Sequence, residues 1–175
     1  SLEAKLNSLS EVERENERLK ELLNFKQSTT YESIPAKIIA WDSSSDFRTI
    51  RIDKGFKDGL RIQSPVVSHK GVVGYIYRMS DHFADILTIL DPNNRVDAIV
   101  GRTRSYGIAE GFSSDRSIMK YLRITDAVSL NDEVLTSGLG YIYPKGLRLG
   151  HISKIERESY GITQHVEVYP SVNFN

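Results

Sequence analysis

The stretch that most constrains this chain is its first two dozen residues, where apolar side chains return with a heptad rhythm. Leu2, Leu9, Val12, Leu19 and Leu23, with Asn16 among them, occupy the seam positions. Taking Leu9 as an a position makes Val12 and Leu19 d positions and returns Asn16 and Leu23 to a, the spacing of a two-stranded coiled coil. A polar amide at one a position costs stability but can pair with its symmetry mate, which favours a parallel, in-register homodimer over higher assemblies. Glu15 at g and Lys20 at the following e are placed to pair across such a dimer. The opposite face, Glu11 to Arg18 with Lys20 and Glu21, is almost wholly charged. An isolated helix of this length is marginal in water, so its stability must come from a partner surface, and a narrow apolar stripe suits a twin helix better than a broad core. At about 1.5 Å per residue the helix would act as a stalk some 35 to 40 Å long.

The spacing predicts that the helix ends near Lys26 to Thr30, with Pro35 holding Ile34 extended. Beyond it the reading changes to short β-branched runs: Ile34 to Trp41, Phe47 to Asp53, Ser64 to Ser68, Val72 to Arg78 and Ala84 to Leu90, then Val96 to Arg102, Gly107 to Phe112, Ile118 to Ile124, Glu133 to Ser137, Gly150 to Arg157 and Gln164 to Tyr169. Turn chemistry such as Asp42-Ser-Ser-Ser, His69-Lys-Gly and Asp91-Pro-Asn-Asn separates them. The two halves read as one plan used twice. Pro65-Val-Val-Ser-His-Lys-Gly-Val-Val-Gly-Tyr-Ile matches Glu133-Val-Leu-Thr followed, after an insertion, by Gly146-Leu-Arg-Leu-Gly-His-Ile. A polar turn precedes each, Lys57-Asp-Gly and Asn131-Asp. The expected fold is therefore mainly β: a coiled-coil helix over residues 1–30, then two small six-stranded antiparallel β-barrels over 31–94 and 95–175, with boundary strands shared or exchanged. Closure would hide edges that short strands otherwise expose to aggregation.

Composition removes several function classes. Lysines plus arginines equal acidic residues at 23 each, so no long-range field draws the chain to nucleic acid. There is no cysteine, hence no thiol nucleophile, disulfide framework or sulfur-based zinc site. No apolar run is long enough to span a bilayer, and a chain starting at Ser1 inside a heptad reads as part of something longer. The histidines at 69, 82, 151 and 165 lack metal-ligand spacing. Asp91-x-Asn93-x-Arg95-x-Asp97 has a cation at the fifth position of a would-be calcium loop and Arg102 where the bidentate acid belongs, so it reads as a turn. Gly138-Leu-Gly140 lacks the third glycine and the following helix of a dinucleotide site. Tandem barrels with His69, Asp97 and Ser137 in that order suggest a chymotrypsin-like serine hydrolase, but Ser137 follows Val134-Leu-Thr and is preceded by no glycine, unlike a nucleophile whose glycine-rich loop forms the oxyanion hole. Nine tyrosines and Trp41 leave a glycan- or oligonucleotide-binding barrel as a further alternative, the latter opposed by the balanced charge. The residues yield no catalytic, cofactor or metal site.

The most specific stretch is Thr136-Ser-Gly-Leu-Gly-Tyr-Ile-Tyr-Pro-Lys-Gly-Leu-Arg-Leu-Gly150. With Asp53-Lys-Gly, Asp58-Gly59, Gly71-Val-Val-Gly74 and the helix ending Asn16-Glu-Arg-Leu-Lys-Glu-Leu-Leu23, it resembles the MreC family of rod shape-determining proteins. Departures are Tyr141, where a third glycine is common, and Asn131, where Gly-Asp is usual. The resemblance implies a bacterial protein with a single N-terminal membrane anchor and its dimeric, two-barrel part on the extracytoplasmic side. It implies a non-enzymatic scaffold of the elongation machinery that links the MreB cytoskeleton to peptidoglycan synthesis. The implied partners are a class B penicillin-binding transpeptidase, MreD, RodA and RodZ. The signature loop, Thr136, Ser137, Gly138, Leu139, Gly140, Tyr141, Tyr143, Pro144 and Gly146, is expected to be structural or partner-binding. Glycines and Pro144 would shape it so that Tyr141 and Tyr143 project as contact residues, with Phe112 a further candidate.

Overall fold

The computed structural model describes residues 1–28, 32–42 and 48–174, with side chains at 22–28 left out. Leu23, the end of the helix beyond Ser28, the start of the strand expected from Phe47 and the Ser43–Ser45 turn therefore fall wholly or in part outside what is described.

One helix, α1 (Leu2–Ser28), opens the chain as the heptad predicts, and residues 1–35 form a unit separate from residues 36–175. Within α1 the seam is exposed: Leu2, Leu9, Val12 and Leu19 are half or more accessible, and Asn16 is exposed beside them. Glu15 is held within its own helix by Arg18, whose Nε and terminal nitrogen donate to the carboxylate at 2.9 and 2.7 Å.

Residues 36–175 are antiparallel β structure. The strands are β1 (Ile38–Asp42), β2 (Thr49–Ile52), β3 (Pro65–Ser68), β4 (Gly71–Met79), β5 (Ala84–Thr88), β6 (Arg95–Val100), β7 (Ser105–Gly111), β8 (Ser117–Arg123), β9 (Glu133–Thr136), β10 (Arg148–Arg157) and β11 (Thr163–Pro170). A 3-10 turn at Phe56–Asp58 precedes β3; the Asp58 carboxylate accepts the Gly55 amide at 2.9 Å, which holds its pKa below the ordinary range. The later strands close into a six-stranded barrel of order β10-β11-β8-β7-β6-β9, and the earlier ones form a sheet of order β1-β2-β5-β4-β3.

The duplication is real and runs deeper than the strand count. Matching β3 with β9, β4 with β10 and β5 with β11 extends to β2 with β8 and β1 with β7, so both modules share one five-strand order. Ladder irregularities repeat at matched places, between Ile76 and Arg78 against β5 and between Ile152 and Lys154 against β11. The turn ahead of each module's central hairpin repeats too. Gln63 (φ 68°) and Asn131 (φ 70°) sit in the left-handed region, and their amides donate to the carbonyls of Ile76 at 2.7 Å and Ile152 at 2.8 Å. The partner of Asn131-Asp132 is thus Gln63-Ser64, a few residues after the Lys57-Asp-Gly turn that sequence comparison favours. Gly74 and Gly150 also coincide. A Cβ at either would stand 2.1 Å from the Leu87 carbonyl oxygen or 2.0 Å from that of Tyr169, so only glycine lets the neighbouring strand cross.

The modules differ at β6, which pairs with both β7 and β9 and closes the second barrel. The first module has five strands among the described residues, not the six expected. Its sixth would have to come from the chain ahead of β1, which is helical to Ser28 and carries Pro35, a residue with no amide to give a ladder. The expected strand from Ile34 accordingly begins only at Ile38, after Lys37 is pinned to Asp53 in both directions (2.7 Å to the carboxylate, 3.0 Å from the Asp53 amide).

Two apolar clusters fill the modules. Ile50, Ile52, Ile76 and Ile86 form the first; Val100, Met119, Leu122, Val134, Ile152 and Val166 form the second. They are knit together, since Val72 of β4 and Ile89, just past the end of β5, belong to the second cluster, while Val172 returns from the C-terminal end to the first. Asp85, nearly buried in β5, is held between Arg51 (2.8 and 3.2 Å) and Arg78 (2.8 Å), and hydrogen bonding from Arg51 foremost holds its pKa below the ordinary carboxylate value.

Candidate functional site

The signature stretch is the connection from β9 to β10, and its shape follows from a few polar anchors. Thr136, fully buried, donates its hydroxyl to the Pro144 carbonyl and accepts the Leu147 amide at 2.8 Å, fastening both ends of the loop to one side chain. The Ser137 amide donates to the Asp97 carbonyl on β6 at 2.9 Å, and the Ser137 hydroxyl accepts the Leu139 amide at 3.3 Å. Gly138 turns the chain at φ 76°, against the Lys145 side chain. Such a loop is ordered before anything binds it.

The two tyrosines expected to project behave oppositely. Tyr141 is fully exposed and Leu139 largely so. Tyr143 points inward: it is buried, meets Tyr75 edge-on with ring centroids 6.5 Å apart, and shares hydrogen bonds with Asn94 (3.3 and 3.4 Å). Burial pushes its phenol well above the ordinary tyrosine range. The reason is the period of an extended segment, which sends residues two apart to one side only while the backbone stays regular; Pro144 and the Thr136 anchor end that regularity. Tyr143 thus ties the loop to the seam between the modules, and Tyr141 and Leu139 are left to meet a partner. Phe112, at the end of β7, is exposed as expected of a contact residue.

Beside the loop lies an open groove of about 390 Å³ lined by Gln63, Arg95, Asp97 and the chain from Gly138 to Tyr143. Arg95 and Asp97 alternate on the outer face of β6. Arg95 lies 3.4 Å from Glu110 on β7, which also takes Lys120 of β8, and this raises the Lys120 pKa. Gly140 passes directly over Asp97, so a Cβ there would lie 2.6 Å from Asp97 Oδ2. Gln63 and Arg95 escape a motif search because they lie far from the loop in sequence. The sequence signals only the charged i, i+2 pair Arg95 and Asp97; the repeat points to the Lys57-Asp-Gly turn and so passes over Gln63.

Of the residues ordered like a protease triad, Asp97 and Ser137 are brought together through their backbones. Ser137 is buried with its hydroxyl turned to the Leu139 amide, and His69 belongs to the β3–β4 turn. The Asp91 stretch is a turn, as expected. The buried Asp91 carboxylate accepts the amides of Arg48 and Asn93 at 2.7 and 2.8 Å, and Asn94 donates to the Leu87 carbonyl at 2.9 Å. Among the described residues no helix is long and apolar enough to cross a membrane.

The pattern of a closed barrel, a shared five-strand order and this loop has a family counterpart. Residues 38–175 match the model described as Rod shape-determining protein MreC, barrel core. The chain belongs to the MreC family. It is 30% identical over 173 residues to the cell shape-determining protein MreC of Listeria monocytogenes, with 95% of this chain and 59% of that protein aligned. To the MreC of Bacillus subtilis it is 32% identical over 178 residues, covering 94% and 61%. The chain thus spans about three fifths of these curated relatives. Among solved structures, one described as MreC superposes with a TM-score of 0.87 at 25% identity, covering 93% of each chain. A more distant MreC, solved in complex with Penicillin-Binding Protein (PBP2) from Helicobacter pylori, shares the fold at a TM-score of 0.62 and 18% identity, covering 77% and 83%. The family is one of cell shape-determining proteins, and the resemblance drawn from the signature stretch and the helix end is to the right one.

Proposed function

We propose that this chain is a non-enzymatic, dimeric scaffold of the bacterial elongation machinery. It works on the extracytoplasmic side of the cytoplasmic membrane and carries a class B penicillin-binding transpeptidase toward a complex with MreD, RodA and RodZ that answers to MreB. The family match over residues 38–175 carries the reading, and the complex of the Helicobacter relative with its penicillin-binding protein supports the choice of first partner. Residues 1–30 serve as the dimerisation helix, with 31–94 and 95–175 as the two β modules. Leu2, Leu9, Val12, Asn16, Leu19 and Leu23 line the seam, and Glu15 exchanges Arg18 for Lys20 of the twin helix. The exposure of the described seam leucines supports this assignment, because four large apolar residues along one helix are costly to leave in water. The β modules present surface, not chemistry, to partners.

Two measurements test the reading. Light scattering should give twice the chain mass at micromolar concentration and a single-chain mass for Leu19→Lys. Capture from envelope extract should retrieve the transpeptidase with residues 1–175 and with residues 31–175 alike. A wild type that stays single at high concentration sinks the stalk assignment; retrieval of no cell-wall synthase by either form sinks the scaffold.

A further inference from the structure

The outward charges around the groove are nearly all spoken for. Arg95 is directed to Glu110, and Lys120 shares the same carboxylate. Asp97 is different. It is half-buried at the floor of the groove, and among the described residues its carboxylate has no hydrogen-bond or ion-pair partner. A carboxylate partly withdrawn from water and left unpaired is costly, and the cost is removed by a cation that brings its own hydrogen bonds. Gly140 controls access, because any side chain at that position would lie against Asp97 Oδ2. At the rim stand Tyr141 and Leu139, both exposed, on a loop whose ends are fixed by Thr136.

We infer that this groove is a docking site for an extended segment of a partner protein, a basic residue reaching Asp97 and its apolar neighbours resting on Leu139 and Tyr141. Arginine suits the site better than lysine. Its planar fork can address a carboxylate with two parallel N–H bonds and still stack on the Tyr141 ring. The open groove suits a chain running through it more than a compact small molecule, and the pre-ordered loop means little freedom is lost on binding. The inference adds a site to the scaffold reading without resting on it, because the test below involves no transpeptidase and either reading can fail alone.

The probes are acetyl-Leu-Arg-Leu-amide and the same peptide with citrulline, which keeps the shape of arginine without its charge. With uniformly nitrogen-15-labelled full chain, the amide resonances of Gly138 and Gly140 report on the groove. The arginine peptide should shift both saturably. Affinity should fall at least about tenfold with citrulline and equally in Asp97→Asn, the loss expected of one charge-assisted hydrogen bond. Asp97→Asn keeps the backbone bond to Ser137, and an unchanged spectrum away from the groove certifies its fold. Tyr141→Ser, at a fully exposed position, should weaken binding several-fold without touching the charge. Equal binding of the two peptides, binding indifferent to Asp97→Asn, or no shift at millimolar peptide would each overturn the proposal. So would chitotetraose shifting the same two amides where the arginine peptide does not, since that marks a glycan site.

Discussion

Replacing Gly150 with alanine tests the duplicated architecture directly. The added methyl would sit 2.0 Å from the Tyr169 carbonyl oxygen, 2.8 Å from its carbon and 3.0 Å from the Pro170 Cα, all backbone. Ordinary carbon contact begins near 3.5 Å, so strands β10 and β11 must part by more than about 1 Å where the barrel has no slack. Leu149 and Ile152, which flank the site, are fully packed in the core, so the displacement cannot be absorbed locally. Overpacking of this kind costs about 3 kcal/mol. For a unit this size that is a fall of roughly 6 to 12 °C in melting temperature, since each kcal/mol moves it by about 2 to 4 °C. The matched change Gly74→Ala, 2.1 Å from the Leu87 oxygen, should cost the same within about 1 kcal/mol. Gly101→Ala is the control: its Cβ would meet nothing closer than 3.7 Å, and the change should be neutral within about 0.5 kcal/mol. Urea midpoints of the three variants decide the matter. If Gly150→Ala melts with wild type, or Gly101→Ala falls as far as the other two, the close crossing of strands does not explain these glycines.

Other consequences can be measured on the same preparation. Asp85→Ala removes the carboxylate between Arg51 and Arg78 and should cost about 2 kcal/mol at neutral pH. Because the folded pKa lies below the ordinary 3.8, that stability is fully present above 3.8 and is lost as pH falls through the folded value, so urea midpoints of mutant and wild type should converge in acid. Tyr143→Phe gives up the bonds to Asn94 and should lower stability by about 1 kcal/mol. With the phenol held above the ordinary range, the same variant should leave the first phase of an alkaline absorbance titration unchanged; a lost early-titrating phenol would contradict its burial. Leu19→Lys should halve the solution mass while leaving the β-sheet circular dichroism intact, since Leu19 is exposed on α1 in the single chain.

The strands were legible because their signals are local: β-branched runs bounded by turn residues need no knowledge of what lies opposite. Of the ten runs whose expected starts lie among the described residues, nine begin within two residues of the ladders, and the exception, at Ile34, fails where Pro35 outweighs the apolar pattern. Closure was not legible in the same way. Whether a set of strands joins its own ends depends on one strand, β6, finding two neighbours, and nothing within Arg95–Val100 distinguishes it from an ordinary edge. The signature loop was recognisable, but which of its tyrosines faces out was not. That was settled by Asn94 and Tyr75, remote residues that give Tyr143 an acceptor and a ring to pack on. The groove was least legible of all, because Gln63, Asp97 and Gly140 come together only through the fold.

The unequal closure of two otherwise matched modules bears on how such a protein meets others. In the second module β6 occupies the place between the strands that match β1 and β3, leaving no edge in that ring. In the first, β1 is terminal among the described residues, and all five of its residues are exposed, Ile38, Ile39 and Trp41 at about half their full area. An edge with β-branched and aromatic residues is a recognised hazard, and sequences usually blunt it with charge, proline or a bulge. Here Pro35 and Lys37 stand just ahead of the strand and a ladder irregularity falls between Ile38 and Ala40, so the edge is blunted at its entrance and not along its length. The same five-strand order thus ends in two ways, by closing the ring in one module and, among the described residues, by blunting the entrance of a terminal strand in the other. The second arrangement keeps apolar surface available on the first module, where Ile38, Ile39 and Trp41 stand exposed along the terminal strand, the kind of surface that a protein partner covers.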